Sequence, residues 1–376
     1  MPVPFPSPAT VDLSPPTAAE VQAIARGLVS AISPPDGPTH LQAMLVQALT
    51  TSMTGFSVDL GAAAEPIDAS SFAHQLARRD EPYRDRIVQL MLLGELVLVP
   101  LPPEVVSRVE LFASELGVDD GMLRVAHDCA TDHLGLAMID FERNGYTSEW
   151  DPDGEAQIHT SHALMHAWDP DDDDPDLAAR WTGLEACPPG SLGAAMVHFY
   201  RSRGFVYPGL VGSAPPYLAQ HDWVHVVADY GTTVESEIEV FGFIARAIPN
   251  PRGFSLLAMV VGLFETGYLA TGAGLFEADR GHLSTAGMPE RLGDAMRRGA
   301  ICGLDLMAFD WFTIADRPVN EVRAELGIVA KSASAVAAGS IGPWERGGIS
   351  PFQLEAGRHL AEREGRPFDA YGACLA

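Results

Sequence analysis

From about Thr17 to Tyr146, apolar residues recur at intervals of three and four, and the two-residue alternation of a strand is nearly absent from the whole chain. That period restricts the fold to packed helices. Val21, Ile24, Leu28 and Ile32 make one face of a helix over Thr17 to Ile32. Thr39 is placed to cap a run from Leu41 to Met53, and Asp68 or Ser70 to start a third helix. Arg84 to Val99 is apolar at Ile87, Leu90, Met91, Leu93, Leu96 and Leu98, and Pro100, Pro102 and Pro103 stop it. Glu104 to Leu116 follows, then a helix from about Asp119 to Asn144, ended by Gly145. Short amphipathic helices on short turns describe a bundle.

After this bundle, Asp169-Pro-Asp-Asp-Asp-Asp-Pro-Asp176 repels itself and resists packing. Helical periodicity returns from Arg180 to about Val329, and Ser350-Pro351 can open a last helix. The expected fold class is all-α, two helical domains joined by an acidic linker. The expected divisions are a flexible Pro-rich tail over 1–16, an N-terminal bundle over 17–146 and the linker over 147–179. A metal-binding helical domain over 180–330 and a C-terminal extension over 331–376 follow.

Composition narrows the function classes. Hydrophobic residues make up 47% and charged residues 20%, as in a globular chain. A net charge of -26 argues against nucleic acid and against a polybasic membrane patch, since both need clustered cations. Lys331 is the only lysine, and with abundant Ala, Gly and Pro this reads as codon usage of a GC-rich bacterial genome. Cys129, Cys187, Cys302 and Cys374 form no C-x-x-C pair, which suits reduced thiols in a cytosolic protein. The N-terminus has neither the charged nor the apolar region of a signal peptide. Gly253 to Phe276 carries one charge, Glu265, and approaches the length of a membrane span. Its five glycines and a break at Thr266-Gly267 favour a buried helix and a loop over a helix touching lipid from one side. The expected location is cytoplasmic, with peripheral membrane contact as an extension of it.

The chemistry concentrates between Tyr217 and Ile248. Gly231 can end one helix, and Thr232 can cap the next with Glu235 completing a capping box. On the first helix, His221 and His225 lie one turn apart, and Asp222 sits about 100° further round. Those three alone fit an ordinary wet helix face. On the second helix, Val234, Ile238, Phe241, Ile244, Ala245 and Ile248 define an apolar stripe, with Glu237 in its middle. Glu235, Glu239 and Arg246 are expected on the opposite, solvent side. A carboxylate aimed into a core costs several kcal/mol unless paired, protonated or metal-bound, and no basic residue shares that stripe. His221, Asp222, His225 and Glu237 together match the donors of zinc, with manganese or iron as alternatives.

The spacing His-Asp-x-x-His, eleven residues, Glu resembles the motif of the ubiquinone (coenzyme Q) biosynthesis protein 4 family. CPPGSLGAAMVHFYRSRGF, Cys187 to Phe205, is similar to that family's upstream helix start. FDWFTIADRPVNEVRAELGI, Phe309 to Ile328, is similar to its closing segment. The resemblance implies a helical domain with zinc held by His221, Asp222, His225 and Glu237, and an apolar channel for a polyprenylated lipid. It also implies oxidative decarboxylation of a quinone precursor, hydroxyl replacing carboxyl, and membership of a multienzyme complex. The same four residues are then the candidates for catalysis. The likeness covers roughly Arg180 to Val329; the N-terminal bundle, the linker and the tail lie outside it. The segment VQLMLLGELVLVPLPPEVVSRVELFASELGV resembles the tellurite-resistance B-like helical domain in pattern, with Pro-Leu-Pro-Pro where that family has an acidic Asp-Gly.

The expectation is thus a zinc-dependent enzyme of quinone or isoprenoid-lipid metabolism, working as a homodimer on a prenylated aromatic acid. The alternative is a lipid-binding scaffold with a structural metal; a weaker third is an interaction module built on the N-terminal bundle. Phe254 to Phe264 can line an apolar pocket, although plain core fits it better, and Glu265 serves either the site or the helix end. His159, His162 and His166 suit a solvated linker better than a metal. His127-Asp128 and Asp132-His133 suit a polar bundle surface. Gly272-Ala-Gly274 lacks the preceding strand of a dinucleotide loop.

Overall fold

The computed structural model describes residues 15–63, 65–131, 133, 136–137, 140, 143–146, 173–214, 216–268 and 279–372. Among them stand sixteen helices and no strand, only an isolated bridge between Ser191 and Pro318. All of the expected tail but Pro15 and Pro16, most of the linker, His159, His162, His166, Asp132, Gly272, Gly274 and Cys374 lie outside the described residues.

The first half contains α1 (Ala18–Ile32), α2 (His40–Thr54), α3 (Leu60–Ala63), α4 (Ala69–Gln75), α5 (Glu81–Leu96), α6 (Pro103–Leu116) and α7 (Met122–Ala130). Their starts follow local chemistry. Thr17, Asp68 and Asp80 accept from the backbone N–H three residues on, and Thr39 with Gln42 forms a complete capping box. Such caps contribute roughly 1 kcal/mol each. The buried Gln42 amide then donates 2.8 Å bonds to the carbonyls of Ile32 and Gly94, tying α1, α2 and α5 together. The expected helix over 119–144 is interrupted after Ala130, and Leu136, Ala137, Asp140, Arg143 and Asn144 are helical again. Thr131 caps α7, its hydroxyl donating to the His127 carbonyl and competing with the helical ladder.

The second half contains α8 (Pro175–Gly183), α9 (Leu192–Arg203), α10 (Pro216–Ala228), α11 (Val234–Ala247), α12 (Phe254–Val261), α13 (Met288–Cys302), α14 (Val319–Glu325), α15 (Ala333–Ala337) and α16 (Pro351–Glu364). Asp174, from the acidic run, caps α8. Helix α12 continues into a π turn over Gly262–Thr266 and stops at Gly267, whose φ of 74° is the expected break. Its residues are buried as plain core, and Glu265 accepts from the N–H groups of Leu283 and Ser284 to hold the following loop. No helix among the described residues is long and apolar enough to cross a membrane.

Helix α11 lies at the centre, packed against α10, α12 and α13. Helix α13 in turn packs on α2, so the apolar residues of both halves join one cluster. Two glycines of α13 permit this close approach. A Cβ on Gly299 would fall 2.1 Å from the Phe243 carbonyl oxygen of α11, and one on Gly293 would fall 2.7 Å from Ser52 of α2. The central position corrects one expectation: α11 has no solvent side. Glu239 is 0% exposed and bonded at 2.6 Å to Arg291 of α13, while Glu235 is half-buried and meets His282 at 2.8 Å. Arg246 is half-buried beside α5. Cys129, Cys187 and Cys302 are unbridged.

The segment after α15 returns across the α10–α11 turn. Gly231 donates to Ile341, and Thr232 to Gly348, through backbone N–H groups at 2.9 and 2.7 Å.

Candidate metal centre

Helices α10 and α11 form a hairpin whose facing sides carry the four predicted donors. Asp229, not Gly231, ends α10; it adopts φ 65°, and the Tyr230 N–H reaches back to the His225 carbonyl. Gly231 serves close packing instead, since a Cβ there would fall 2.5 Å from the Gly348 oxygen. Thr233, not Thr232, caps α11 through Ser236. The Thr232 hydroxyl is taken by other partners, accepting from Arg203 at 3.0 Å and donating to Gln353 at 2.6 Å.

The ordinary wet-face reading of α10 fails on burial. His221, Asp222, His225 and Glu237 are 5, 8, 0 and 6% exposed. His221, His225 and Glu237 each offer a donor atom, and the three atoms lie within 4.8 Å of one another. Glu237 Oε2 is 3.4 Å from His221 Nε2 and 3.4 Å from His225 Nε2. Two ligands each about 2.1 Å from a tetrahedral ion stand about 3.4 Å apart, so the spacing suits a small divalent cation. Asp222 is adjacent but engaged differently. Its Oδ1 is 3.8 Å from His221 Nε2, and its Oδ2 accepts a 2.6 Å hydrogen bond from Tyr200.

The fit can be tested on unsatisfied atoms. Glu237 Oε2 and both ring nitrogens of His225 are buried with no hydrogen-bond partner among the described residues. Each such group costs roughly 1–3 kcal/mol if left so. His221 differs: its Nδ1–H donates to the Leu218 carbonyl, which leaves Nε2 free to bind from the side facing Glu237. The donor set therefore fits a divalent ion. Phe241 stacks on His221 at 5.0 Å and Phe199 on His225 at 5.8 Å, fixing both rings in an apolar wall.

Charge within the centre is strongly coupled. Burial works against a cationic His221, but Asp222 and then Glu237 overcome it and lift its pKa to about 9. Burial pushes Glu237 up, yet His225 and His221 hold its carboxyl well below the usual range. For Asp222 burial wins and the pKa rises. Two neighbours escaped the sequence reading. Tyr200, fully buried on α9, anchors Asp222. Arg203, one turn on, is also fully buried, its pKa lowered by burial to about 9 against the pull of Asp222 and Glu237. Arg203 is held by Thr232, Ser202 and the Pro343 carbonyl and lies 3.8 Å from the Phe199 ring. A cation therefore does serve the centre, from α9 and not from the apolar stripe of α11. The three- and four-residue spacing of Met196, Phe199, Tyr200 and Arg203 was the available signal.

The pair His127-Asp128, expected on a polar bundle surface, divides. His127 sits on the surface 3.4 Å from Glu110, whereas Asp128 is buried. No protein-family model and no curated protein matches the chain. Among solved structures, a Nostoc punctiforme PCC 73102 protein named for ubiquinone biosynthesis is similar at 20% identity and a TM-score of 0.29, covering 66% of this chain and 99% of that one.

Proposed function

We propose that His221, Asp222, His225 and Glu237 hold one divalent ion, zinc before manganese or iron, and that the chain serves quinone or isoprenoid-lipid metabolism. The observation that carries the metal is the set of buried, unpartnered atoms on His225 and Glu237 facing His221. The lipid assignment rests on the motif's resemblance to the ubiquinone biosynthesis protein 4 family. The proposed reaction is oxidative decarboxylation of a prenylated aromatic acid. The ring carboxyl leaves as carbon dioxide and a hydroxyl takes its place, a two-electron oxidation that needs an external oxidant such as dioxygen. A bound ion would supply a Lewis acid for an anionic oxygen of the substrate. The chain's own groups prepare the place: Leu218 sets the His221 tautomer, Tyr200 aims Asp222, and Arg203 offsets one carboxylate.

The complete burial of His225 favours a second reading, a scaffold whose ion only orders the α10–α11 hairpin. Turnover of a carboxylated prenyl-phenol separates the two. With a catalytic ion, Glu237→Gln and Asp222→Asn abolish turnover with little change in melting temperature. Melting that falls in step with metal loss marks the scaffold. Metal-free protein at full yield and stability would remove both readings. Peripheral membrane contact, a homodimer and a multienzyme complex belong to the same proposal; vesicle flotation and sedimentation test the first two, and co-purification the third.

A further inference from the structure

A cavity of about 370 Å³ lies where α1, α2 and α5 meet α11 and α13. Val21, Ile24, Leu49, Met53, Ile87 and Met296 give it apolar walls. Three guanidinium groups also reach it, and they are not equivalent. Arg297 is paired with Asp294 at 2.7 Å. Arg86 donates to the Gln89 side chain at 2.8 Å and to the Ile248 carbonyl at 2.9 Å, both neutral acceptors. Arg246 has no hydrogen bond or ion pair among the described residues.

Burial, and after it the like charge of Arg86, lower the pKa of Arg246 to about 9, with no acid opposing them. Asp85 and Asp120 act on Arg86 and not on Arg246. This vacancy of negative charge is specific to the place. The chain carries 50 acidic residues against 24 Lys and Arg, yet among the described residues none is set against Arg246. An apolar cavity with one or two convergent, unpaired polar groups is the common form of a small-molecule site. A guanidinium fork matches a carboxylate or phosphate.

We infer that this cavity binds a single-chain amphiphile with an anionic head, the head seated on Arg246 beside Arg86 and the hydrocarbon tail against Leu49, Met53 and Met296. The site is separate from the metal centre, since Arg246 lies nine residues beyond Glu237, about 14 Å along α11.

Calorimetric titration of the full chain with dodecanoate, dodecyl phosphate, dodecanol and dodecyltrimethylammonium tests this. Dodecanoate or dodecyl phosphate should bind saturably at one per chain, and the tighter of the two names the head. Dodecanol and the cationic chain should bind at least tenfold more weakly. From octanoate to dodecanoate, affinity should rise by up to about fourfold per added methylene. Arg246→Gln should weaken dodecanoate tenfold or more while leaving dodecanol unchanged, and Arg246→Lys should recover most of the loss. Equal affinity for dodecanoate and dodecanol, no saturable binding of either anion, or an undiminished Arg246→Gln variant would overturn the inference. Should that variant not fold, the head-group series on the unsubstituted chain decides alone.

Discussion

Glu95 and Glu237 make an instructive pair. Both interrupt apolar helical sequence, and both side chains are buried, Glu95 at 0% exposure. Around Glu237 stand two imidazoles that hold its carboxyl low. Around Glu95 neither carboxyl oxygen has a hydrogen-bond partner among the described residues. Burial raises its pKa well above the ordinary value, and Glu110 adds to the rise. Glu239 supplies a third solution two residues from Glu237, on nearly the opposite face of α11, neutralised by Arg291. A carboxylate in an apolar stripe is therefore not by itself the mark of a metal. It is protonated, paired or coordinated according to its company, and only Glu237 has the imidazoles.

The largest effect that could break this comparison is in bound metal. Glu237→Ala should take the divalent ion content from about one per chain to none by elemental analysis, while Glu95→Ala leaves it unchanged. Equal content in both variants would end the distinction. Next is the ion pair: Arg291→Ala strands Glu239 in the core and should cost about 3–5 kcal/mol in denaturant unfolding. A third, of opposite sign, is Glu95→Met, which removes an unsatisfied acid. It should stabilise by about 1–3 kcal/mol at pH 7.5. Because the folded-state pKa of Glu95 is raised, its favourable share is present below the ordinary carboxylate pKa and is lost as pH rises through the folded value. The gap between variant and parent should therefore shrink in acid; a gap independent of pH contradicts the assignment.

The smallest effect is expected at Asp85, a half-buried acid that is lifted to about 6, first by burial and then by Glu81 and Asp120. Its stabilising share is likewise lost between about pH 4 and 6. Asp85→Asn should raise stability at pH 7 by under about 1 kcal/mol, since solvent screens the site, and should change little at pH 4. Melting curves at the two pH values check this.

Much of the fold was legible because its signals are local. Thr39 and Asp68 sit at the N-caps expected of them, Thr17 caps α1 at the end where that helix was expected to begin, and Ser350 caps α16 with Gln353 in a capping box. The facing of His221, His225 and Glu237 was also legible, since one helical turn and a tight hairpin decide it. What failed was non-local. Thr232 is a plausible cap until Arg203 and Gln353, 29 and 121 residues away, compete for its hydroxyl. Glu239 and Arg246 read as solvent-facing because a helical wheel shows one partner face, and α11 has partners all round. Arg203 and Tyr200 were missed because they enter the centre from α9, whose register against α10 no short spacing encodes.

The return of the chain over the hairpin turn bears on the order in which the centre can be completed. Thr232 and Gly348 are 116 positions apart, and the strand of contacts from Ile341 to Gln353 secures both the turn and Arg203. During synthesis, α10 and α11 emerge with both histidines and Glu237 long before that securing segment exists. The donors thus belong to a hairpin whose fastening segment is the last of these parts to be made. A cation meeting the nascent hairpin would encounter pliant ligands, whereas one meeting the finished chain would have to pass a turn already fastened. The access an ion would have to these donors is in this way set by the distance between two segments of one polypeptide.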